Sequence, residues 1–335
     1  SAGPRYFGFV IGGSLPAALA ADWLTSTWDQ NAGLTATSPA AMAVEDVVAG
    51  WVKDLLGLPA SGSVGFVTGC QMANFVGLAA GRHAVLERAG WNVEEDGLFG
   101  APPVRVLVGD EAHVTIFSAL RMLGLGGKRA RKVAVDVQGR MRPEALDEAL
   151  RDGSGPAIVC AQAGNVSTGA FDPLDEIAGI AHRHGAWLHV DGAFGLWAGA
   201  SPSLRPLVRG VEKADSWATD AHKWLNVPYD SGLAIVAHPT SHRAAFLKRA
   251  DYLIPAAGAE RDGHDYTPES SRRARVFPLY AALLSLGRRG VAALVEGGCA
   301  SARRLADALR PDPAVHVLND VVLNQVLVRF EPPAG

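Results

Sequence analysis

The stretch Ala214-Asp215-Ser216-Trp217-Ala218-Thr219-Asp220-Ala221-His222-Lys223-Trp224-Leu225-Asn226-Val227-Pro228-Tyr229-Asp230-Ser231-Gly232 sets a single lysine among apolar, aromatic and small residues. An isolated lysine is ordinarily a solvated surface group. Between His222 and Trp224, the Lys223 ammonium would be disfavoured by desolvation, and the lowered pKa would free an amine nucleophile. A lysine that forms a Schiff base with a carbonyl needs that free amine.

Working outward, Ala186-Trp187-Leu188-His189-Val190-Asp191-Gly192-Ala193-Phe194-Gly195 ends an apolar strand on a carboxylate and follows it with small residues. Pyridoxal phosphate enzymes pair a Schiff-base lysine with a carboxylate on the pyridinium nitrogen, because a protonated ring drains electrons from a substrate carbanion. Lys223 and Asp191 supply that pair. On these residues, above all the Asp220-Ala221-His222-Lys223-Trp224 block, the sequence resembles the pyridoxal-phosphate-dependent amino-acid decarboxylases (group II), which include the aromatic-amino-acid, histidine and glutamate decarboxylases. Resembling segments run from about Pro4 to about Gly290.

With 335 residues, 48% hydrophobic and 19% charged, the chain can bury a large core and form one big domain plus a smaller one. Lys and Arg number 31 against 34 Asp and Glu, so the net charge of −3 gives no electrostatic case for nucleic acid or an anionic membrane. Cys70, Cys160 and Cys299 are odd in number and far apart, which reads as reduced thiols of a cytoplasmic protein. There is no apolar run of bilayer length and no signal-peptide pattern at the start. Both ends look cut: the chain opens on Gly3-Pro4-Arg5-Tyr6-Phe7-Gly8-Phe9, internal in the resembling family, and stops after a strand-like run from Val321 to Phe330.

Along the chain, Trp23, Trp28 and the segment 31–37 read as irregular. Ser38-Pro39 then opens a helix in which Val47, Val48, Trp51, Val52, Leu55 and Leu56 recur at helical spacing. Gly65-Phe66-Val67-Thr68-Gly69-Cys70-Gln71-Met72-Ala73-Asn74 is a small-residue turn into a helix, and its first backbone amides can face an anion. Strands at 104–108, 132–137, 157–161, 187–191, 216–219 and 233–236 alternate with helices from about Thr115, Pro143 and Asp172, as a parallel sheet requires. Asp191 and Lys223 fall at carboxyl ends of strands, where such sheets bind ligands. A helix near 241–249 and an irregular run 254–271 follow, then helices at 278–289 and 291–309. Gly124-Leu125-Gly126-Gly127-Lys128 mimics a nucleotide loop, but Met122 and Arg129 break that pattern, and a helix terminus and turn fit better. His182, His184 and His189 read as basic groups around a helix C-terminus rather than a metal set.

The resemblance implies a fold-type-I, aspartate-aminotransferase-like α/β domain: a mainly parallel, seven-stranded-type sheet flanked by helices, with a smaller C-terminal α+β domain. The expected division is 1–37 as an N-terminal segment, 38–245 as the cofactor domain and 246–335 as the start of the small domain. It further implies that His113 stacks on the cofactor ring, that Asp220 and His222 lie near the phosphate, that Ala193 belongs to the cofactor site, and that Gly69, Cys70 and Gln71 form the phosphate cradle. Gln71 stands where the family has Ser or Thr. Val166 stands where the family has a threonine that touches cofactor or substrate, so that contact passes to Asn165 or Ser167. In the family's longer mobile loop a tyrosine protonates the substrate carbon; here Tyr266 and His264 are the acids at hand. The resemblance implies a homodimer whose segment 31–37 and Tyr266 loop serve the neighbouring pocket. The expected function is decarboxylation of an L-amino acid. Another pyridoxal phosphate reaction on the same scaffold (aldolase, aminotransferase or aldehyde-forming oxidative deaminase) and a non-catalytic, cofactor-binding role are the alternatives.

Overall fold

The sheet strands alternate their side chains between two apolar layers, and this alternation builds the molecule. The computed structural model describes residue 3 and residues 5–248 and 261–331. Its sheet strands are β1 (Ser63–Val67), β2 (Arg105–Gly109), β3 (Arg131–Val133), β4 (Ala157–Gln162), β5 (Trp187–Asp191), β6 (Ser216–Asp220) and β7 (Gly232–Val236), in the order β1-β7-β6-β5-β4-β2-β3. β7 pairs antiparallel with both β1 and β6, and the other pairs are parallel. The expected mainly parallel sheet of seven strands is present. Leu107, Val159, Leu188, Val190 and Ile235 face one core, while Val106, Val108, Ile158, Cys160 and Trp187 face another, as the two-residue period of a strand buried on both faces dictates.

The helices are α1 (Pro16–Trp28), α2 (Pro39–Leu56), α3 (Cys70–Glu87), the single turn α4 (Val93–Asp96), α5 (Val114–Met122), α6 (Pro143–Arg151), α7 (Leu174–Arg183), α8 (Pro239–Ala244) and α9 (Val276–Leu309). α2 begins with Pro at its first turn after Ser38 and ends on Gly57 in the left-handed conformation, so both stops are written in its residue types. α9 covers both expected C-terminal helices and breaks its helical geometry at Gly287, with φ of 59°. A hairpin of β8 (Val315–Val317) and β9 (Val328–Phe330) closes the described chain.

Several boundaries differ from expectation. The stretch holding Trp23 and Trp28 is the helix α1, not an irregular segment; it buries only the small side chains Ala18 and Thr25, which leaves no apolar stripe to read. β3 stops at Val133 because the Asp136 carboxylate accepts from the Gln138 and Arg140 N–H groups and turns the chain. Of the strand expected over 321–330, only β9 forms, because the Asn319 amide binds the carbonyl of Gln325 and the N–H of Leu327 and pins the chain between them. Residues 254–260 of the expected irregular run, and Arg249 at the end of the helix expected near α8, lie outside the described residues. Gly124 and Gly126, both at positive φ, lie in the turn that follows α5, so that glycine-rich stretch is a helix terminus as read.

Candidate active site

Asp191 is the last residue of β5 and Asp220 the last of β6, so both carboxylates stand at the carboxyl edge of the sheet beside the N-terminus of α3. Asp191 is 5% exposed and Asp220 1%. Buried carboxylates persist when donors surround them, and both have such donors. Asp191 Oδ2 accepts from Asn74 Nδ2 at 3.2 Å, and Oδ1 accepts from the Ala193 N–H at 3.2 Å and the Cys70 thiol at 3.4 Å. Asp220 Oδ1 accepts the Cys70 N–H at 2.6 Å, and Oδ2 lies 2.8 Å from Lys223 Nζ.

That ion pair reverses the expectation for Lys223. Burial does press the ammonium toward neutrality, but Asp220 at contact distance and Asp191 beyond it outweigh burial, and the Lys223 pKa is raised above its ordinary value. Asp220, assigned by resemblance to the neighbourhood of the phosphate, is the partner of the lysine. His222, 3.3 Å from Asp220 Oδ1, accepts the Ser231 N–H on Nδ1, and its ring lies 4.3 Å from that of Tyr229. Burial lowers the His222 pKa.

The expected cradle is a helix N-terminus, with one amendment. The first α3 bond runs from the Ala73 N–H to the Gly69 carbonyl, and the Cys70 N–H is given to Asp220, so Gln71 and Met72 offer the N–H groups that the helix leaves free. Close approach explains Gly69: a Cβ there would meet His222 Cε1 at 3.0 Å. The Cys70 thiol, pushed well up by burial and by Asp191, stays protonated.

His113 caps α5, with Nδ1 accepting from the Thr115 N–H at 3.4 Å and lying 2.9 Å from the Thr115 hydroxyl; that hydroxyl is 3.3 Å from Asn74 Nδ2. His113 is thereby linked through Thr115 to the residue that holds Asp191. Asn165 is buried and its amide is engaged: Oδ1 accepts from the Ser167 and Thr168 N–H groups, and Nδ2 donates to Glu111 at 3.1 Å. Tyr266 stands apart from this group. Its carbonyl accepts from His242 Nε2 at 3.0 Å, and its ring packs edge-on to His242 under the Arg261 guanidinium. Of the arginines of 272–275, Arg272 is buried against Glu45, Arg273 pairs with Asp22, and Arg275 pairs with Asp230, two residues before β7.

Sequence reasoning missed Asn74 and His189. His189 is fully buried, 2.9 Å from Asn74 Oδ1 and 2.8 Å from Ser216 Oγ. Its signal was the strand period, which puts 187, 189 and 191 on one face.

The donors fit pyridoxal phosphate: an amine for its aldehyde, a desolvated carboxylate for its ring nitrogen, and, for its phosphate, helix amides that have no partner among the described residues. Residues 1–331 match the model of the family described as "Pyridoxal-dependent decarboxylase conserved domain". Acidic amino acid decarboxylase GADL1 of Bos taurus is 29% identical over 343 residues, which cover 99% of this chain and 64% of that protein. Cysteine sulfinic acid decarboxylase of Mus musculus is 28% identical over 343 residues, covering 99% of this chain and 68% of that protein. The chain thus spans less than two thirds of the GADL1 sequence. Among solved structures, mouse CSAD superposes with a TM-score of 0.89 at 27% identity, covering 98% of this chain and 69% of that one. Oryza sativa TDC, solved with PLP and tryptamine, gives 0.88 at 28% identity, covering 94% and 67%. A lysine and a carboxylate set for one cofactor therefore sit inside a match that runs through nearly every described element, and the chain belongs to the pyridoxal-dependent decarboxylase family.

Proposed function

We propose that the protein decarboxylates an L-amino acid to its amine, with Lys223 as the covalent anchor of pyridoxal phosphate. The observation that carries this reading is the pair of neighbouring strand ends, where Lys223 meets Asp220 at 2.8 Å and Asp191 is held by three donors. When bound, the cofactor supplies an electron sink for the pair left by the bond that breaks at the substrate's alpha carbon. Asp191 would keep a proton on the ring nitrogen. His113, fixed at the α5 N-terminus, would lie against the ring face, Ala193 would line the site, and the Gln71 and Met72 N–H groups would take the phosphate. Asn165 holds the 164–170 turn in shape rather than offering a free amide. Asp220 pairs with the Lys223 ammonium and would be positioned to accept the proton that the amine must lose before it can anchor the cofactor. His222 braces Asp220 from the other side.

We assign the active species to a two-fold dimer, because Phe7, Phe9 and Trp23 are 79%, 89% and 68% exposed and a second copy would cover them. Tyr266, engaged with His242 and Arg261, would then act as acid in the neighbouring subunit's site. Sedimentation of a fully active monomer would overturn this assembly. Three buried free cysteines fit a cytoplasmic setting, and no described helix is long and apolar enough to cross a membrane.

A second reading, a different bond cleavage on the same scaffold, is favoured by Val166 in the place of the family threonine. Incubation of the cofactor-loaded protein with a panel of L-amino acids, acidic and aromatic ones first, decides between the two. Amine and carbon dioxide in equal amounts support decarboxylation; aldehyde, keto acid or a retro-aldol product supports the second reading. Lys223→Ala is expected to abolish the visible absorbance of the bound cofactor, and covalent label recovered on another lysine would sink the site.

A further inference from the structure

We propose that Asn74, His189 and Ser216 form a one-way hydrogen-bond relay that orients the Asp191 carboxylate toward the cofactor's ring nitrogen. The inference rests on the assignment of Asp191 to that nitrogen. It begins with donor and acceptor roles. A carboxylate only accepts, so the Asn74 NH2 must be the end that faces Asp191 Oδ2 at 3.2 Å. Asn74 Oδ1 is then turned to His189 at 2.9 Å, and His189 must donate to it from Nε2. Burial pushes the His189 pKa down to about 4, so the ring is neutral and carries one proton. Nδ1 is therefore bare and accepts the Ser216 hydroxyl at 2.8 Å, while Ser216 Oγ accepts the Trp187 indole N–H at 2.8 Å. Every donor from Trp187 onward points toward Asp191.

The fold builds this line from residues far apart in sequence. Ser216 on β6 lies in register opposite His189 on β5, and Trp187 shares their sheet face. Asn74 reaches them from α3, where Gly77 leaves room for the imidazole. Among the described residues the charge acting on the ring is that of Asp191; Cys160, in register on β4, is a thiol kept neutral by burial. The second Asn74 N–H is 3.3 Å from the Thr115 hydroxyl, and Thr115 holds His113. One amide thus orients both the carboxylate and the histidine assigned to the ring. Asn74, His189 and Ser216 are positioning residues: they act through Asp191 and His113.

Imidazole nitrogen NMR on the labelled protein tests the relay directly. The expected wild-type result is a neutral His189 with its proton on Nε2 at pH 7 and no charging until about pH 4. In Asn74→Asp, a carboxylate facing Nε2 is expected to move that titration above the ordinary value of 6.5. In Asn74→Leu, pyridoxal phosphate is expected to bind about tenfold more weakly, and the pH at which its visible absorbance changes is expected to shift. Ser216→Ala, one bond further out, moves the same readouts less and serves if Asn74→Leu does not fold. A proton on Nδ1, or a charged His189 at pH 7, overturns the relay. So do wild-type affinity and an unchanged absorbance profile in both variants. A wild-type protein that takes up no pyridoxal phosphate overturns the assignment of Lys223 and Asp191 instead, and the NMR result still decides whether the relay exists.

Discussion

At Lys223 two opposed influences meet: burial alone would free the amine, and Asp220 at 2.8 Å holds the proton on it. Removing the charge while keeping the shape separates them. Asp220→Asn can still accept the Cys70 N–H on Oδ1, so the α3 junction is retained while the lysine loses its counter-ion. The Lys223 pKa is then expected to fall, because burial is left with less to oppose it, and the pH midpoint for capture of pyridoxal phosphate by the apoprotein falls with it. An unchanged midpoint would show that Asp220 does not set the lysine's charge. The residues at the strand ends were legible because an apolar run that stops on Asp191 or Asp220 announces where a buried strand meets a site. Their pairing was not legible, because the contact between Asp220 and Lys223 depends on how the chain turns after β6.

At the scale of elements, α3 carries the site and is shaped by what it must approach. A Cβ on Gly77 would lie 2.8 Å from the His189 ring, and one on Gly81 would lie 2.8 Å from the Trp187 ring. These two glycines, one turn apart, let the helix settle onto β5. In an unencumbered helix Gly→Ala stabilises by about 0.5–1 kcal/mol, and Gly50 in α2, exposed with nothing within 4 Å, is such a position. Gly50→Ala is therefore expected to stabilise, and Gly77→Ala and Gly81→Ala to destabilise by about 1–3 kcal/mol through overpacking. Denaturant unfolding of the three variants checks the contrast, and stabilisation by Gly77→Ala would refute the close packing. α2 was readable because its apolar residues recur at helical spacing between a Ser-Pro start and a glycine stop. α1 was not, because its stability comes from lying against other elements, with the Trp28 ring 5.4 Å from that of Phe277 at the start of α9.

Across the whole molecule, the alternation of strands with helices along the chain made the α/β class legible, while the donor network stayed hidden because register, not spacing, brings Trp187, His189 and Ser216 together. The same burial that hides it has a consequence for acid stability. His189 and His242 are both fully buried, and burial lowers their pKa values to about 4 and about 3 from an ordinary 6.5. Between those limits the unfolded chain binds two protons that the folded chain refuses. The stability this neutrality contributes is present in full above pH 6.5 and is lost as the pH falls, by roughly 3–5 kcal/mol for each ring. Asp172 works in the other direction: burial raises it to about 6, so its contribution is present below pH 3.8 and is lost as the pH rises through 6. Two histidines outweigh one carboxyl, and the unfolding free energy is expected to fall as the pH is lowered from 6.5 to 4. His242 is held by Ser63 Oγ at 2.8 Å and by the Tyr266 carbonyl at 3.0 Å. His242→Gln keeps hydrogen-bonding capacity but cannot take up the proton, so it should lower stability at pH 7 and flatten the acid slope. Urea unfolding at a series of pH values measures both, and a slope in the variant equal to that of the wild type would remove His242 as a source of acid lability.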